Sequence, residues 1–306
     1  MLTGIIPPLI TPLLGRDSLD VAGLERLIER TVSGGVSGLF LLGTTGEGAS
    51  LSYRLRRELI ERTCRQVNRR VPILVNITDT SFIETLNLAR HAADSGAQAL
   101  VVAPPYYLPP GQPELQEYLA HLIAELPLPL YLYNMPTLTK VSYELGTLRN
   151  AMNESRIVGI KDSSGNIGYF RDLAVLAKQR PDWSLLVGPE ELLLDAIALG
   201  GHGGVHGGAN LFPKLYVRLC EAARNGDASK ARELHVIAVR VRASLYDIGR
   251  HPSSLIKGIK CALDVLGVCS DFMAEPFHRF RAEERAIVEQ RLAELTAELS
   301  KLGLLS

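Results

Sequence analysis

Eight short runs rich in Val, Ile and Leu recur along the chain, at residues 5–10, 38–42, 72–76, 99–103, 130–134, 157–161, 184–188 and 203–206. From the second run onward the starts are separated by as much as 34 residues (38 to 72) and as little as 19 (184 to 203). Such a step is one strand plus one crossover helix, the repeating unit of a parallel sheet. The runs are near-continuous rather than alternating, as strands covered on both faces must be. Between them the pattern turns helical. Ser81-Phe82-Ile83-Glu84 has the spacing of a capping box, Asp20 and Ser142 are candidate N-caps, and Gly34-Gly35 and Gly96 stand where helices end. Eight such units predict a closed (β/α)8 TIM barrel. A doubly wound open sheet has the same local pattern, but it would normally carry a Gly-x-Gly-x-x-Gly turn after an early strand, and none is present.

The strand signal stops near Asn225, so the chain divides into a barrel over residues 1–225 and a helical C-terminal extension over 226–306. A length of 306 residues suits one barrel of ~250 residues with such an addition. Val288, Leu292, Leu295 and Leu299 form one apolar helix face. The plain expectation is that this stripe packs against the barrel; the sharper one is an oligomer contact. No low-complexity linker precedes it, which predicts a docked extension.

Charge narrows the partners. The 33 Lys and Arg balance the 33 Asp and Glu, so there is no electrostatic footprint for nucleic acid, and no polybasic run suits an anionic membrane. No segment approaches the ~20 apolar residues of a membrane span. The start of the chain lacks a signal-peptide pattern, and Cys64, Cys220, Cys261 and Cys269 form no Cys-x-x-Cys pair. A cytoplasmic protein with reduced thiols is expected.

A barrel of this kind builds its active site at the C-terminal ends of its strands. Polar groups stand at six of those ends: Gly43-Thr44-Thr45-Gly46-Glu47, Tyr106-Tyr107, Tyr133, Lys161, Gly188-Pro189-Glu190-Glu191 and His206-Gly207-Gly208. Lys161 is the most informative, because it closes an otherwise apolar strand and lysine is rarely buried unless paired or functional. Burial disfavours the ammonium, and the freed amine can form a Schiff base with a carbonyl substrate, an electron sink for carbon–carbon cleavage. The plainer alternative is a lysine that ends its strand at the surface or pairs with Asp162. Tyr131 and Tyr133 share a strand face. A phenol beside an imine can move protons, although a core aromatic is the commoner fate of a strand tyrosine. The Gly43–Gly48 turn offers backbone N–H groups and two hydroxyls to a small anion. It lacks the Gly-Lys-Ser/Thr ending of a nucleotide loop, so a carboxylate fits better. His202 and His206, with Glu190 and Glu191 nearby in barrel order, raise metal chemistry, but no His-Glu-x-x-His is present and no metal is expected. His206 reads instead as a polar lining of the mouth.

Together these motifs, with Pro105-Tyr106-Tyr107, Tyr133-Asn134-Met135-Pro136, Gly159-Ile160-Lys161-Asp162 and Leu199-Gly200-Gly201-His202-Gly203, resemble the dihydrodipicolinate synthase/N-acetylneuraminate lyase family of class I aldolases along nearly the whole chain. The resemblance implies a TIM barrel with a helical extension, a homotetramer (a dimer of dimers), and pyruvate or a 2-keto acid held as a Schiff base without a cofactor. It assigns the imine to Lys161, proton transfer to Tyr133 and Thr44, and the pyruvate carboxylate to Thr45. Tyr107 would serve the neighbouring subunit, and Ser163, Gly188, Glu190, Glu191 and Val205 would contact substrate. Three departures bear on specificity. Leu138 stands where dihydrodipicolinate synthases usually place an arginine for the aldehyde's carboxylate, Gly207 replaces a serine of neuraminate lyases, and Lys140 replaces a usual glycine. A leucine cannot offer the charged fork that arginine gives a carboxylate. The expected reaction is therefore cleavage of a 2-keto-3-deoxy sugar acid, or a related acyl sugar acid, to pyruvate and an aldehyde. The competing expectations are dihydrodipicolinate synthase, a metal-dependent aldolase and a barrel that binds 2-keto acids without turnover.

Overall fold

The computed structural model describes residues 1–305. Eight strands lie in one parallel sheet: β1 (Gly4–Ile5), β2 (Leu39–Leu41), β3 (Ile73–Asn76), β4 (Ala99–Val102), β5 (Leu130–Asn134), β6 (Ile157–Asp162), β7 (Ser184–Val187) and β8 (Gly203–Gly204). Each strand from β2 to β7 pairs with its successor, and β8 pairs with β7 on one side and β1 on the other. Closure comes from the extended chain after β1, where Pro8 bridges to Phe40 of β2 and Leu9 N–H donates to the Phe40 carbonyl at 2.9 Å. The (β/α)8 barrel read from the spacing is the fold. The β8–β1 seam depends on glycine, since a Cβ on Gly203 would lie 1.9 Å from the Gly4 carbonyl oxygen and Gly4 itself has φ +92°. A short antiparallel hairpin, Leu13–Gly15 with Ser18–Leu19, follows the first strand; the sequence pattern gave no sign of it.

Two apolar layers follow from the strand period of two. Ala99, Val101, Tyr131, Tyr133, Leu186 and Val205 fill the barrel interior with Ile6, Phe40 and Leu74. Their neighbours Leu100, Val102, Leu130 and Leu132 face outward into the larger core beneath the helices.

The helix ends are mostly as the sequence indicates. Asp20 accepts from Gly23 N–H and caps Val21–Ser33, while Gly35 and Gly96 have positive φ just past helices. Ser81 caps Phe82–Asp94, but the box is half made: the Ser81 N–H donates to Asp79 and Glu84 turns to Asn87. Ser142 is not a cap, because the next helix, Leu145–Ala151, begins three residues beyond and takes Glu144 in that position.

Residues 226–305 form three helices, Ala228–Leu245, Ser254–Val265 and Ala282–Lys301. Val288, Leu292, Leu295 and Leu299 are all buried, but they face the first two of these helices rather than the barrel itself. The extension docks on the barrel through Ala228–Leu245, which packs on Pro213–Arg224, and the apolar stripe of its last helix is already covered within the chain. Among the described residues no helix is long and apolar enough to cross a membrane, and the four cysteines are buried free thiols.

Candidate active site

Parallel pairing of β5 with β6 sets Tyr133 directly beside Lys161. Both point into the barrel, where the Lys161 Nζ lies 4.3 Å from the Tyr133 ring centroid and 5.0 Å from that of Phe40. Lys161 is only 7% exposed. It has no carboxylate partner, because Asp162 turns outward to Asn134 Nδ2 at 2.8 Å and to the N–H and hydroxyl of Ser164. Burial lowers the Lys161 pKa, and the neighbouring Tyr133 only partly opposes that shift. Across the mouth, the Tyr133 hydroxyl is 3.2 Å from Thr44 Oγ1. An amine, a phenol and a hydroxyl from three strand ends therefore form one polar chain inside an apolar barrel.

A second buried lysine sharpens the contrast. Lys260 is fully buried, but it is ion-paired with Glu47 and donates to the Phe272 carbonyl at 2.6 Å. Glu47, at φ +56° in the turn carrying Thr44 and Thr45, also accepts from Ala274 N–H at 2.8 Å. The extension thus clamps the threonine turn, a tie that no local pattern in the sequence discloses. Burial lowers the pKa of both lysines, but Lys260 is held by a carboxylate and Lys161 is not.

Thr45 is buried beside Thr44, and its hydroxyl makes no hydrogen bond among the described residues. Ser163 and Gly188 are packed together, such that a Cβ on Gly188 would meet Ser163 Oγ at 2.0 Å. Val205 lies in the barrel interior with Tyr133.

Two expectations for the seventh strand end fail. Glu190 is buried with both oxygens spent: Oε1 accepts from Gly208 N–H at 2.6 Å and the Tyr246 hydroxyl at 2.9 Å, and Oε2 from the Tyr216 hydroxyl at 2.5 Å. Burial raises its pKa against these three bonds. Glu191 faces the extension, 3.5 Å from Arg242, with its carbonyl accepting from His235. A 3-10 turn over Glu190–Leu192 rotates both carboxylates out of the mouth. His206 is likewise not a lining residue. Its Nδ1 donates to the Gly188 carbonyl at 2.9 Å, its ring lies 5.8 Å from that of Tyr216 outside the strands, and its Nε2 has no partner. Burial pushes its pKa down to about 4. His202 Nδ1 accepts from Leu185 N–H, so neither histidine is placed as a ligand, and no group of three or more metal-binding side chains occurs among the described residues.

Beside Tyr133 opens a cavity of about 520 Å³ over the ends of β2 to β5. Thr44, Tyr106, Met135 and Leu138 line it from the barrel, and His251, Pro252, Ser253, Ile256 and Phe277 from the extension. The sequence reading missed these five; the Gly249–Ser253 stretch, a Gly/Pro interruption in a helical region, is the one signal that marks a loop there. Tyr107 does not enter this cavity in its own chain and is 88% exposed at φ +80°. Lys140 is also outside the lining; it is exposed at φ +62°, which explains why a glycine suits that position.

A buried lysine with no carboxylate partner at a strand end of a (β/α)8 barrel is the arrangement expected of one class, barrel enzymes that activate carbonyl substrates through a lysine amine. The chain belongs to the dihydrodipicolinate synthetase family, which it matches over residues 1–295, and it is an enzyme of that family's pyruvate-dependent lyase and synthase type. It is 32% identical to a 4-hydroxy-tetrahydrodipicolinate synthase of Methanopyrus kandleri, over 99% of this chain and 97% of the relative. It is 33% identical to the putative 2-dehydro-3-deoxy-D-gluconate aldolase YagE of Escherichia coli, over 79% and 80%. The solved dihydrodipicolinate synthase of Bacteroides thetaiotaomicron superposes with a TM-score of 0.93 at 53% identity, covering 96% of this chain and 98% of that one.

Proposed function

We propose that the protein is a Schiff-base aldolase that reversibly cleaves a 2-keto acid with a neutral tail, a 2-keto-3-deoxy sugar acid or a related acyl sugar acid, to pyruvate and an aldehyde. One observation carries the reading: Lys161 is a buried amine with no carboxylate partner, in contact with a tyrosine hydrogen-bonded to Thr44. The amine adds to the keto carbon, and Tyr133, relayed by Thr44, moves the protons that expel water. Tyr133 takes the proton of the C4 hydroxyl as the iminium draws the electron pair of the C3–C4 bond and the aldehyde leaves, and the enamine is then protonated at C3 and hydrolysed to pyruvate. Thr45 is assigned the pyruvate carboxylate, with Ser163, Gly188 and Val205 around it. Tyr107, projecting from the surface, is assigned to the site of a second copy in a cytoplasmic homotetramer. The neutral tail follows from the cavity, which no lysine or arginine lines.

Borohydride reduction with pyruvate, followed by peptide mass spectrometry, tests the mechanism. An adduct on Lys161 that is absent from Lys161→Ala supports it, and an adduct elsewhere with Lys161 free refutes it. The likeness to the Bacteroides thetaiotaomicron enzyme favours a second reading, dihydrodipicolinate synthase. Comparison of kcat/KM for pyruvate condensing with aspartate semialdehyde, N-acetylmannosamine and glyceraldehyde separates the two. A clear preference for aspartate semialdehyde overturns the argument from Leu138, whose missing charged contact is worth about 1.5–3 kcal/mol.

A further inference from the structure

The cavity beside Tyr133 has a composition that a polyhydroxy chain alone does not explain. Leu138 and Phe277 are 50% and 38% exposed, and both belong to its lining together with Met135 and Ile256. Single exposed apolar side chains are ordinary, but several gathered on one cavity beside reactive groups mark a binding surface. The polar lining is largely spent. Asn76 donates to the Leu42 carbonyl at 2.9 Å, Thr78 to Asn76 at 2.7 Å and Thr139 to the Val141 carbonyl at 2.9 Å, while Glu47 is held by Lys260. Ser50, Tyr106, His251 and Ser253 are left, with side chains that make no hydrogen bond among the described residues. Four such groups serve only a few substituents. A longer run of hydroxyls would lose water against carbon without recompense.

We propose that Met135, Leu138, Ile256 and Phe277 form an apolar subsite for an uncharged acyl, alkyl or aryl substituent on the aldehyde partner. This rests on the Schiff-base aldolase mechanism above and narrows its acceptor: a preference for benzaldehyde over glyceraldehyde would uphold that mechanism while replacing the simple 2-keto-3-deoxy sugar acid as substrate. The barrel supplies the reacting carbon's surroundings and two walls of the subsite; the extension supplies the other two.

Acceptor selectivity and ligand binding test it separately from the parent reading. With pyruvate as donor, kcat/KM is compared for benzaldehyde, hexanal, glyceraldehyde and the anionic succinic semialdehyde. Benzaldehyde and hexanal are expected to exceed the other two at least tenfold. Leu138→Ser and Phe277→Ser should each lower the benzaldehyde-to-glyceraldehyde ratio about tenfold, and Leu138→Met should restore it. A single removed hydrophobic contact commonly changes selectivity by this amount. Glyceraldehyde as the better acceptor, or variants that lower both acceptors equally, would overturn the subsite and leave the aldolase reading standing. If borohydride traps no adduct on Lys161, the parent reading fails, and the subsite is then decided by ligand-observed NMR with benzyl alcohol on the unmodified protein. Saturation transfer lost in Leu138→Ser supports it, and transfer that is absent or unchanged refutes it.

Discussion

Replacing Lys260 by methionine removes the cation of a fully buried pair while keeping a side chain of similar length. The Glu47 carboxylate would retain only the Ala274 N–H, and the Phe272 carbonyl would lose its donor. Truncating one partner of such a pair costs about 3–5 kcal/mol, because the remaining charge is left in a medium that cannot solvate it. At 2–4 °C per kcal/mol, the melting temperature is expected to fall by roughly 6–20 °C, toward the lower end in a chain this long. The double variant Glu47→Gln/Lys260→Met should regain about 2 kcal/mol or more, since it removes the stranded charge. The assay is a double-mutant cycle by calorimetry at fixed protein concentration, with pyruvate trapping at Lys161 as second readout, because Glu47 belongs to the turn that carries Thr44. A single variant costing less than about 1 kcal/mol, or a double variant no more stable than the single, refutes the reasoning.

Tyr133→Phe should leave pyruvate binding in place and slow imine formation by about 10²–10⁴, the usual worth of positioned proton transfer, as measured by stopped-flow trapping. An unchanged rate would remove Tyr133 from the mechanism. His206, whose pKa falls from an ordinary 6.5 to about 4, is neutral in the folded protein, so the unfolded chain binds the extra proton. Its stabilising contribution is complete above pH 6.5 and is lost as pH falls toward 4, about 3 kcal/mol in all. Unfolding free energies measured across that range should slope less in His206→Asn. Lys140→Gly relieves a left-handed residue and should stabilise by about 1 kcal/mol in chemical denaturation. A loss of stability there would show that Lys140 makes a contact worth more than its strain.

The barrel was legible because parallel strands advertise themselves twice, in apolar runs and in the interval between them. Lys161 and Tyr133 were legible for a related reason: strand ends converge, so a residue's place in the run predicts its place at the mouth. That logic reached Glu190 and Glu191 and failed there, because it carries no information about the 3-10 turn that swings both away. Nor does a period of two reveal which of the outward and inward positions belongs to His206 once the strand has shrunk to Gly203–Gly204. The short hairpin and the extension's contribution to the cavity were hidden for another reason. His251, Ile256 and Phe277 meet Thr44 only through packing between distant segments, and sequence neighbours say nothing of such meetings.

The clamp on the threonine turn has a consequence for the order in which the protein comes into being. Glu47 and the Ala274 N–H that it receives are 227 residues apart. On the ribosome, the strand and turn bearing Thr44 and Thr45 emerge early, and Lys161 follows with six strands already made. The cation that neutralises Glu47 and the loop that walls the cavity emerge near the end of synthesis. A nascent chain holding every group assigned to the imine therefore carries an unmatched carboxylate at the heart of its first functional turn. The turn gains its ties only once Lys260 and Ala274 have been made.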